Sequence, residues 1–334
     1  MNALKKSVVV LAAVAAWTGS FAGNVLKGKS AVMKFPAPLQ KMGLAEAKWM
    51  RLADGVEYYY GRFTNLLGTL DGYAPTTNEL HLLRIDYRRA PVKMKFVDHT
   101  QEKRKKQTTT ETAAREKALF AINMTMEYND KSVHPQGYAK ADGVVIPNGM
   151  TLSKTGVKGG FAFNDDKTFA FDPDWTAADP VKKGGIKADA WKNVVTHEAY
   201  TIHNGKVTWG PKATYFGRAN YPFFGVTEDG VLWAGAVDGR NKSSAGLGYH
   251  EVAALQRELG CTEGVCCDGG GSTTIAIRAD LVPSANIVPK QKLVKHSGVR
   301  YYTMNFLYDG SVGGTLANGS ERAVINQLLF VPTR

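Results

Sequence analysis

The sequence predicts an α+β fold, a single domain of mixed and antiparallel β-sheets with a few packed helices. Short β-prone segments recur along the chain, Asp-Gly and Asn-Gly turns separate several of them, and only two segments carry a clear helical signature. No internal repeat or low-complexity linker interrupts the run, which argues for one continuous domain over 51–334. At 334 residues the chain is long enough to bury a core without staples.

Residues 1–22 read as a signal peptide. Lys5 and Lys6 give a basic start, Val8 to Trp17 an apolar run, and Ser20-Phe21-Ala22 a small-x-small cleavage site. The apolar run is about half the ~20 residues that a membrane span needs. The expectation is an exported protein, periplasmic or secreted, with no membrane span after signal cleavage. The formal charge of +12 points to anionic partners or to a solvated basic surface. Residues 23–50, with Pro36 and Pro38, form a leader or edge segment.

Aromatic and β-branched content marks strands at Gly55 to Gly61 and Leu80 to Tyr87. Val92 to Val97 alternates apolar and basic residues, the pattern of a half-buried strand. Lys103 to Lys106 is a basic run that reads as a solvated turn. With no recognition motif beside it, no nucleic acid is expected as a partner. Thr108-x-x-Glu111 is a capping box for a short helix through about Lys117, and Ala118 to Asn123 follows as a buried strand. Between 135 and 215, short strands alternate with turns, and Asn204-Gly205 is a hairpin signal. Pro173 to Gly185 reads as a polar loop. Val252, Leu255 and Leu259 share one face of a second helix, Tyr249 to Leu259, with Gly260 as its stop.

The most informative stretch is Cys267-Asp268-Gly269-Gly270-Gly271-Ser272-Thr273, set between two β-prone segments. Three consecutive glycines are costly in backbone entropy. Two readings stand: a loop whose bare N–H groups face an anion or a sugar beside Asp268, or a tight turn. No helix follows the glycines, so the run is neither a P-loop nor a dinucleotide fingerprint. Ser272 lacks a nucleophile-elbow context, and His197 and His203 lack zinc-binding spacing. Cys261, Cys266 and Cys267 are the only cysteines and have no histidine nearby, a poor zinc set. No metal site is evident, and the cofactor requirement is left open. Export makes a disulfide possible, with reduced core thiols as the alternative.

Upstream of the glycines, Gly225-Val226-Thr227-Glu228-Asp229-Gly230-Val231-Leu232 leads to Val237-Asp238-Gly239-Arg240, a Ser/Gly loop and the second helix. This order, with the Asp-Gly-Gly-Gly-Ser-Thr-Thr run, resembles the phosphodiester glycosidase family. Gly319-Ser320-Glu321-Arg322-Ala323-Val324 resembles the family's closing Glu-Arg-x-Val strand. Ala121-Ile122-Asn123 matches a third motif, but Met124-Thr125-Met126 stands where the family has two glycines and an aromatic. Cys267 occupies the position of a buried leucine, so Cys261–Cys266 is the pair the resemblance favours for a disulfide.

The resemblance implies hydrolysis of a sugar-1-phosphodiester at the anomeric carbon. It implies Asp268, Asp238 and Arg240 as catalytic residues. Substrate binding would fall to Asn123, Arg218, Gly269, Gly270, Gly271, Ser272 and Thr273. Arg218 is the nearest match to a family arginine, at a longer spacing from Gly225 and without the following Thr. From the residues alone, Asn123 either holds a sugar hydroxyl or closes a turn, and Asp238-Gly239-Arg240 reads as an Asp-Gly turn with a surface arginine. The expected partner is a sugar phosphodiester or another anionic glycan. The alternatives are a non-catalytic exported binder of anionic glycan and a glycosidase of exopolysaccharide or cell-envelope glycan.

Overall fold

The structure is a computed structural model describing residues 31–33, 47–64, 76–100, 106–125, 135, 137–146, 158–176, 186–196, 199–208, 217–241, 243–282, 291–305, 307 and 319–333. The signal-peptide segment, Lys103 to Lys105 and residues 177–185 of the polar loop lie outside them.

Three sheets carry the fold. The nine-stranded sheet runs, edge to edge, Ala31–Met33, Ala47–Ala53, Val56–Thr64, Thr77–Asp86, Val231–Val237, Tyr221–Thr227, Cys261–Cys266, Ala199–His203 and Lys206–Val207. The six-stranded sheet runs Lys292–His296, Val299–Thr303, Ile275–Arg278, Phe120–Asn123, Asn326–Pro332 and Val92–Asp98. The five-stranded sheet runs Phe169–Thr176, Lys158–Phe163, Asn193–Thr196, Ala139–Ala141 and Val144–Val145.

Every pairing among the described strands is antiparallel, so the expected mixed sheets are purely antiparallel. Parallel neighbours need long crossovers, usually helical, and the described residues hold only two α-helices. The fold is therefore mostly antiparallel β. Strands Ala31–Met33 and Ala47–Ala53 carry the nine-stranded sheet into the segment before residue 51.

One apolar core joins all three sheets. Tyr58, Leu83 and Ile85 of the nine-stranded sheet meet Phe96, Phe120 and Phe330 of the six-stranded sheet, and Phe161 and Phe171 of the five-stranded sheet. The alternation of Val92 to Val97 is realised directly. Val92, Met94 and Phe96 are buried in this core, while Lys93 and Lys95 face outward.

The helix Tyr249–Glu258 covers the other face of the nine-stranded sheet, where Val252, Leu255 and Leu259 pack with Phe223, Trp233 and Tyr221. Gly235 makes room in that layer, since a Cβ there would stand 2.8 Å from Leu82 Cδ2. The helix Thr109–Arg115 has the expected capping box from Thr108 and Glu111, and sets Ala113 and Ala114 against Ala121, Ala276 and Tyr301 of the six-stranded sheet. Asn204 and Gly205 turn the expected hairpin with φ of 49° and 71°, the positive values that the shortest hairpins need.

Two expectations change. Pro173 falls inside strand Phe169–Thr176, so the loop begins later than its composition suggests. No disulfide forms, and Cys261, Cys266 and Cys267 are buried thiols. Cys261 and Cys266 begin and end one strand, about 16 Å apart at the usual rise, far beyond the reach of a bridge.

Candidate active site

The glycine run starts where strand Cys261–Cys266 ends, and its backbone is fixed from several sides. Cys267 N–H donates to the Pro222 carbonyl at 2.8 Å, and Asp268 N–H to the Met124 carbonyl at 2.7 Å. Asn123, at the end of its strand in the six-stranded sheet, holds the run at both ends. Its Nδ2 donates to the Asp268 carbonyl at 2.7 Å, and its Oδ1 accepts from Thr274 N–H at 3.0 Å. Asn123 is buried, with its amide spent on the loop. Of the two readings of this residue, the geometry is that of turn closure. Met124 supplies a carbonyl and a fully buried side chain against Cys267 Sγ, so the departure from the family motif is built into the support of the loop.

Gly270, at φ 63°, opens a 3-10 turn over Gly270–Ser272. Asn220, just before strand Tyr221–Thr227, grips this turn. Its carbonyl accepts from Gly270 N–H at 2.9 Å and from Thr273 Oγ1 at 3.2 Å, and its Nδ2 donates to the Gly270 carbonyl. Ser272 and Thr273 are buried, whereas Asp268, Gly269 and Gly270 are half-exposed and form the open face of the loop.

The missing side chains of the glycines make room for close neighbours. A Cβ on Gly269 would stand 2.5 Å from Tyr221 Cε1. One on Gly271 would stand 2.6 Å from Arg322 Cζ, and one on Gly270 would stand 3.8 Å from Arg240 Nη1. Two exposed arginines therefore stand against the same short loop. Arg240 reaches it from a left-handed backbone conformation, φ 54°, and its N–H donates to the Ala245 carbonyl at 3.3 Å.

Asp238 lies on the other side of that turn and faces inward. It is 1% exposed, with Oδ2 3.4 Å from His81 Nε2. His81 Nδ1 meets Tyr58 Oη at 2.8 Å, and the Tyr60 ring lies 5.2 Å from the imidazole. Burial, and secondly the Asp238 charge, pushes the Tyr58 hydroxyl far above its usual range. Tyr58 thus stays a neutral phenol that donates to Nδ1, while His81 Nε2 and Asp238 Oδ2 make only a loose contact at 3.4 Å and form no hydrogen bond with each other. Asp238 N–H donates to the Glu79 carbonyl at 2.9 Å, and Ser244 Oγ to the Asp238 carbonyl. The Asp238 carboxyl group is thus turned into the sheet, two residues before Arg240.

Arg218 is not presented to the glycine run as a free clamp. Its Nη2 and Nε pair with Glu251 Oε1 and Oε2 at 2.7 and 3.1 Å, with both side chains almost fully buried. Glu251 Oε2 also accepts Gly248 N–H at 2.8 Å and so caps the helix Tyr249–Glu258. The reason is local: Glu251 is the third residue of a helix whose first turn favours a carboxylate, and Arg218 neutralises it.

Arg322 is held in place by its neighbour. Glu321 accepts from Thr110 N–H at 2.9 Å and from Thr110 Oγ1 at 2.5 Å, while His296 Nε2 lies 2.9 Å from the same hydroxyl. Burial pushes the Glu321 carboxyl up to about 7, against the downward pull of its Thr110 and Thr109 hydrogen bonds. A carboxyl raised on folding stabilises the fold fully below its unfolded value of 4.5, and that contribution is lost as pH climbs through about 7. Its full size is at most about 3 kcal/mol. Glu321→Gln should flatten the fall in unfolding free energy between pH 5 and 7.5, measured by urea titration at each pH. A slope equal to that of the wild type would rule out this titration.

The geometry thus unites Asp268, Gly269, Gly270, Gly271 and Arg240, surrounds them with Asn123, Ser272 and Thr273 as supports, and leaves Arg218 and the Asp238 carboxyl engaged elsewhere. Asn220, His81 and Arg322 were not among the residues expected in the site. The Glu-Arg pair was visible as a motif, whereas nothing local marks Asn220 or His81. Among the described residues, no group of His, Cys, Asp or Glu is arranged to hold a metal.

The glycine loop lies where two antiparallel sheets meet, begins at one half-exposed carboxylate and has two guanidinium groups beside it. The phosphodiester glycosidase family model matches residues 116–308, more than half of the chain, and the chain belongs to that family. No curated protein matches the sequence. Among solved structures, the chain is similar to the catalytic domain of zebrafish N-acetylglucosamine-1-phosphodiester alpha-N-acetylglucosaminidase, described as auto-inhibited by its pro-peptide. That match has a TM-score of 0.57 and 14% identity, covering 83% of this chain and 82% of the other. A hypothetical protein from Synechocystis matches with a TM-score of 0.56 and 14% identity over 91% of this chain and 68% of the other. A Burkholderia pseudomallei protein described as exported matches with a TM-score of 0.50 and 13% identity over 94% and 100%. At these identities the likeness is one of fold.

Proposed function

We propose that the protein is an exported hydrolase that cleaves a sugar-1-phosphodiester at the anomeric carbon, releasing free sugar and a phosphomonoester. The observation that carries this reading is the pair of guanidinium groups, Arg240 and Arg322, against a glycine loop that begins at a half-exposed carboxylate, Asp268. A phosphate leaving group departs as a stabilised anion, so neutralising cations matter more than a strong proton donor. Guanidinium suits that role because it meets phosphate oxygens in bidentate fashion. The oxocarbenium-like transition state needs a carboxylate at the ring or at the attacking water, the task assigned to Asp268. The reading of export rests on the pattern of residues 1–22 and on the likeness to the exported Burkholderia protein. No helix among the described residues is long and apolar enough to cross a membrane.

The test is release of reducing sugar and phosphomonoester from a panel of sugar-1-phosphodiesters by the purified protein. On any substrate turned over, Arg240→Ala should raise KM, because the phosphate is charged in the ground state, and also lower kcat, because the departing phosphate gains further negative charge in the transition state. Arg240→Lys should recover little of either if the contact is bidentate. A panel with no turnover, or an Arg240→Ala variant with unchanged kinetics, would count against this assignment.

A further inference from the structure

A second charged cleft lies at the far end of the six-stranded sheet, with a volume of about 910 Å3. It opens between the edge strand Val92–Asp98, the C-terminal end of the helix Thr109–Arg115, and the five-stranded sheet. Its lining includes the cations Lys93, Lys95, Arg115, Lys117 and Lys192, but only three acids. The acids are shared. Asp165 serves both Lys93 at 3.5 Å and Lys192 at 2.5 Å. Glu116 serves both Lys95 at 2.6 Å and Arg115 at 2.8 Å. Asp142 adds only a second contact to Lys192, at 3.3 Å.

Lys117 completes the excess. It is exposed, its backbone is in the left-handed region at φ 55°, and it makes no ion pair with any described residue. The Lys192 hydrogen bond is the main reason the Asp165 carboxyl is held below its usual range, and with the acids ionised the five cations still outnumber them. The volume is in the range of small-ligand sites. No aromatic side chain lines the cleft, so recognition there runs on charge and not on stacking of a base or a sugar ring.

We propose that this cleft is an accessory site for a small ligand bearing two or more phosphate groups, separate from the glycine loop. The separation follows from the strand Asn326–Pro332. Asn326 bonds Thr125, two residues from Asn123, whereas Pro332 lines the cleft, about 20 Å further along the strand. The two sites share no residue, and the inference holds whether or not the protein is a hydrolase.

Inorganic tripolyphosphate is the probe, measured by titration calorimetry on the full chain at low salt. Wild type should bind it more tightly than single phosphate, and binding should weaken as salt is raised. The double variant Lys93→Gln/Lys117→Gln, with melting temperature as folding control, should bind at least about tenfold more weakly, the loss of two close charge contacts. Asp165→Asn, which removes the competing acid, should bind severalfold more tightly. Absence of tripolyphosphate binding or equal affinity in the double variant would overturn the proposal. A preference for a single-stranded oligonucleotide over tripolyphosphate would overturn the ligand class.

Discussion

Asp268→Asn should lower turnover by about 10²–10³ while the melting temperature stays at the wild-type value. The fold does not depend on the charge of this residue in the way it depends on its backbone. Its N–H is tied to Met124 and its carbonyl to Asn123, and both bonds survive the substitution. The side chain is half-exposed, so exchanging carboxylate for amide exacts no large desolvation change. What disappears is the negative charge at the start of the loop that Arg240 and Arg322 adjoin. The neighbouring thiol cannot take over. Burial, and secondly the Asp268 charge, pushes Cys267 far above its usual range, so it remains protonated and unreactive. Steady-state kinetics with a parallel thermal melt decides the matter. A folded Asp268→Asn variant that turns over at the wild-type rate would reduce the glycine run to a turn.

His81→Ala should act on stability first. The imidazole is 1% exposed at its side chain and stands between Tyr58 Oη and Asp238 Oδ2 inside the shared core. Removing the imidazole leaves the buried Tyr58 hydroxyl without its partner, typically at about 1–3 kcal/mol. The vacated volume beside Tyr60 adds a packing cost in the same direction. Asp238→Asn should cost less, since an amide can still face His81. The double variant His81→Ala/Asp238→Leu should recover part of the loss, because no buried acid is left behind. Urea unfolding of the three variants measures this. Additive losses across the pair would show that His81 and Asp238 are not coupled.

Local chemistry was readable wherever one segment decides its own conformation. The Thr108 capping box, the Asn204-Gly205 turn and the alternation of Val92 to Val97 all reappear in the structure for the reasons their residues suggest. The convergence of Asp268 with Arg240 came from a resemblance to other sequences, since no periodicity links positions 28 residues apart. Partners across sheets stayed hidden. His81 lies in a strand read correctly from its neighbours, yet its meeting with Asp238 depends on the pairing of Thr77–Asp86 with Val231–Val237. Asn220 carries no motif, and its grip on Gly270 exists only because two adjacent strand ends come together. Arg218 looked available in sequence because Glu251 reads as an ordinary helix-start acid. Strand Cys261–Cys266 begins earlier than its apolar stretch, as Glu263 and Gly264 interrupt the β signal after Thr262.

The placement of Phe120–Asn123 has a consequence for the order in which the chain can acquire structure. Its two neighbours in the six-stranded sheet are Ile275–Arg278 and Asn326–Pro332, both made from the last fifth of the sequence. The strand Thr77–Asp86 likewise waits for Val231–Val237 on one side. A chain still emerging from the ribosome therefore holds buried-type strands whose edges have no mates, and loop closure across some 150 to 200 residues must precede their pairing. The strand that ends in Asn123, a main support of the glycine loop, is therefore paired on both sides only when synthesis is almost finished.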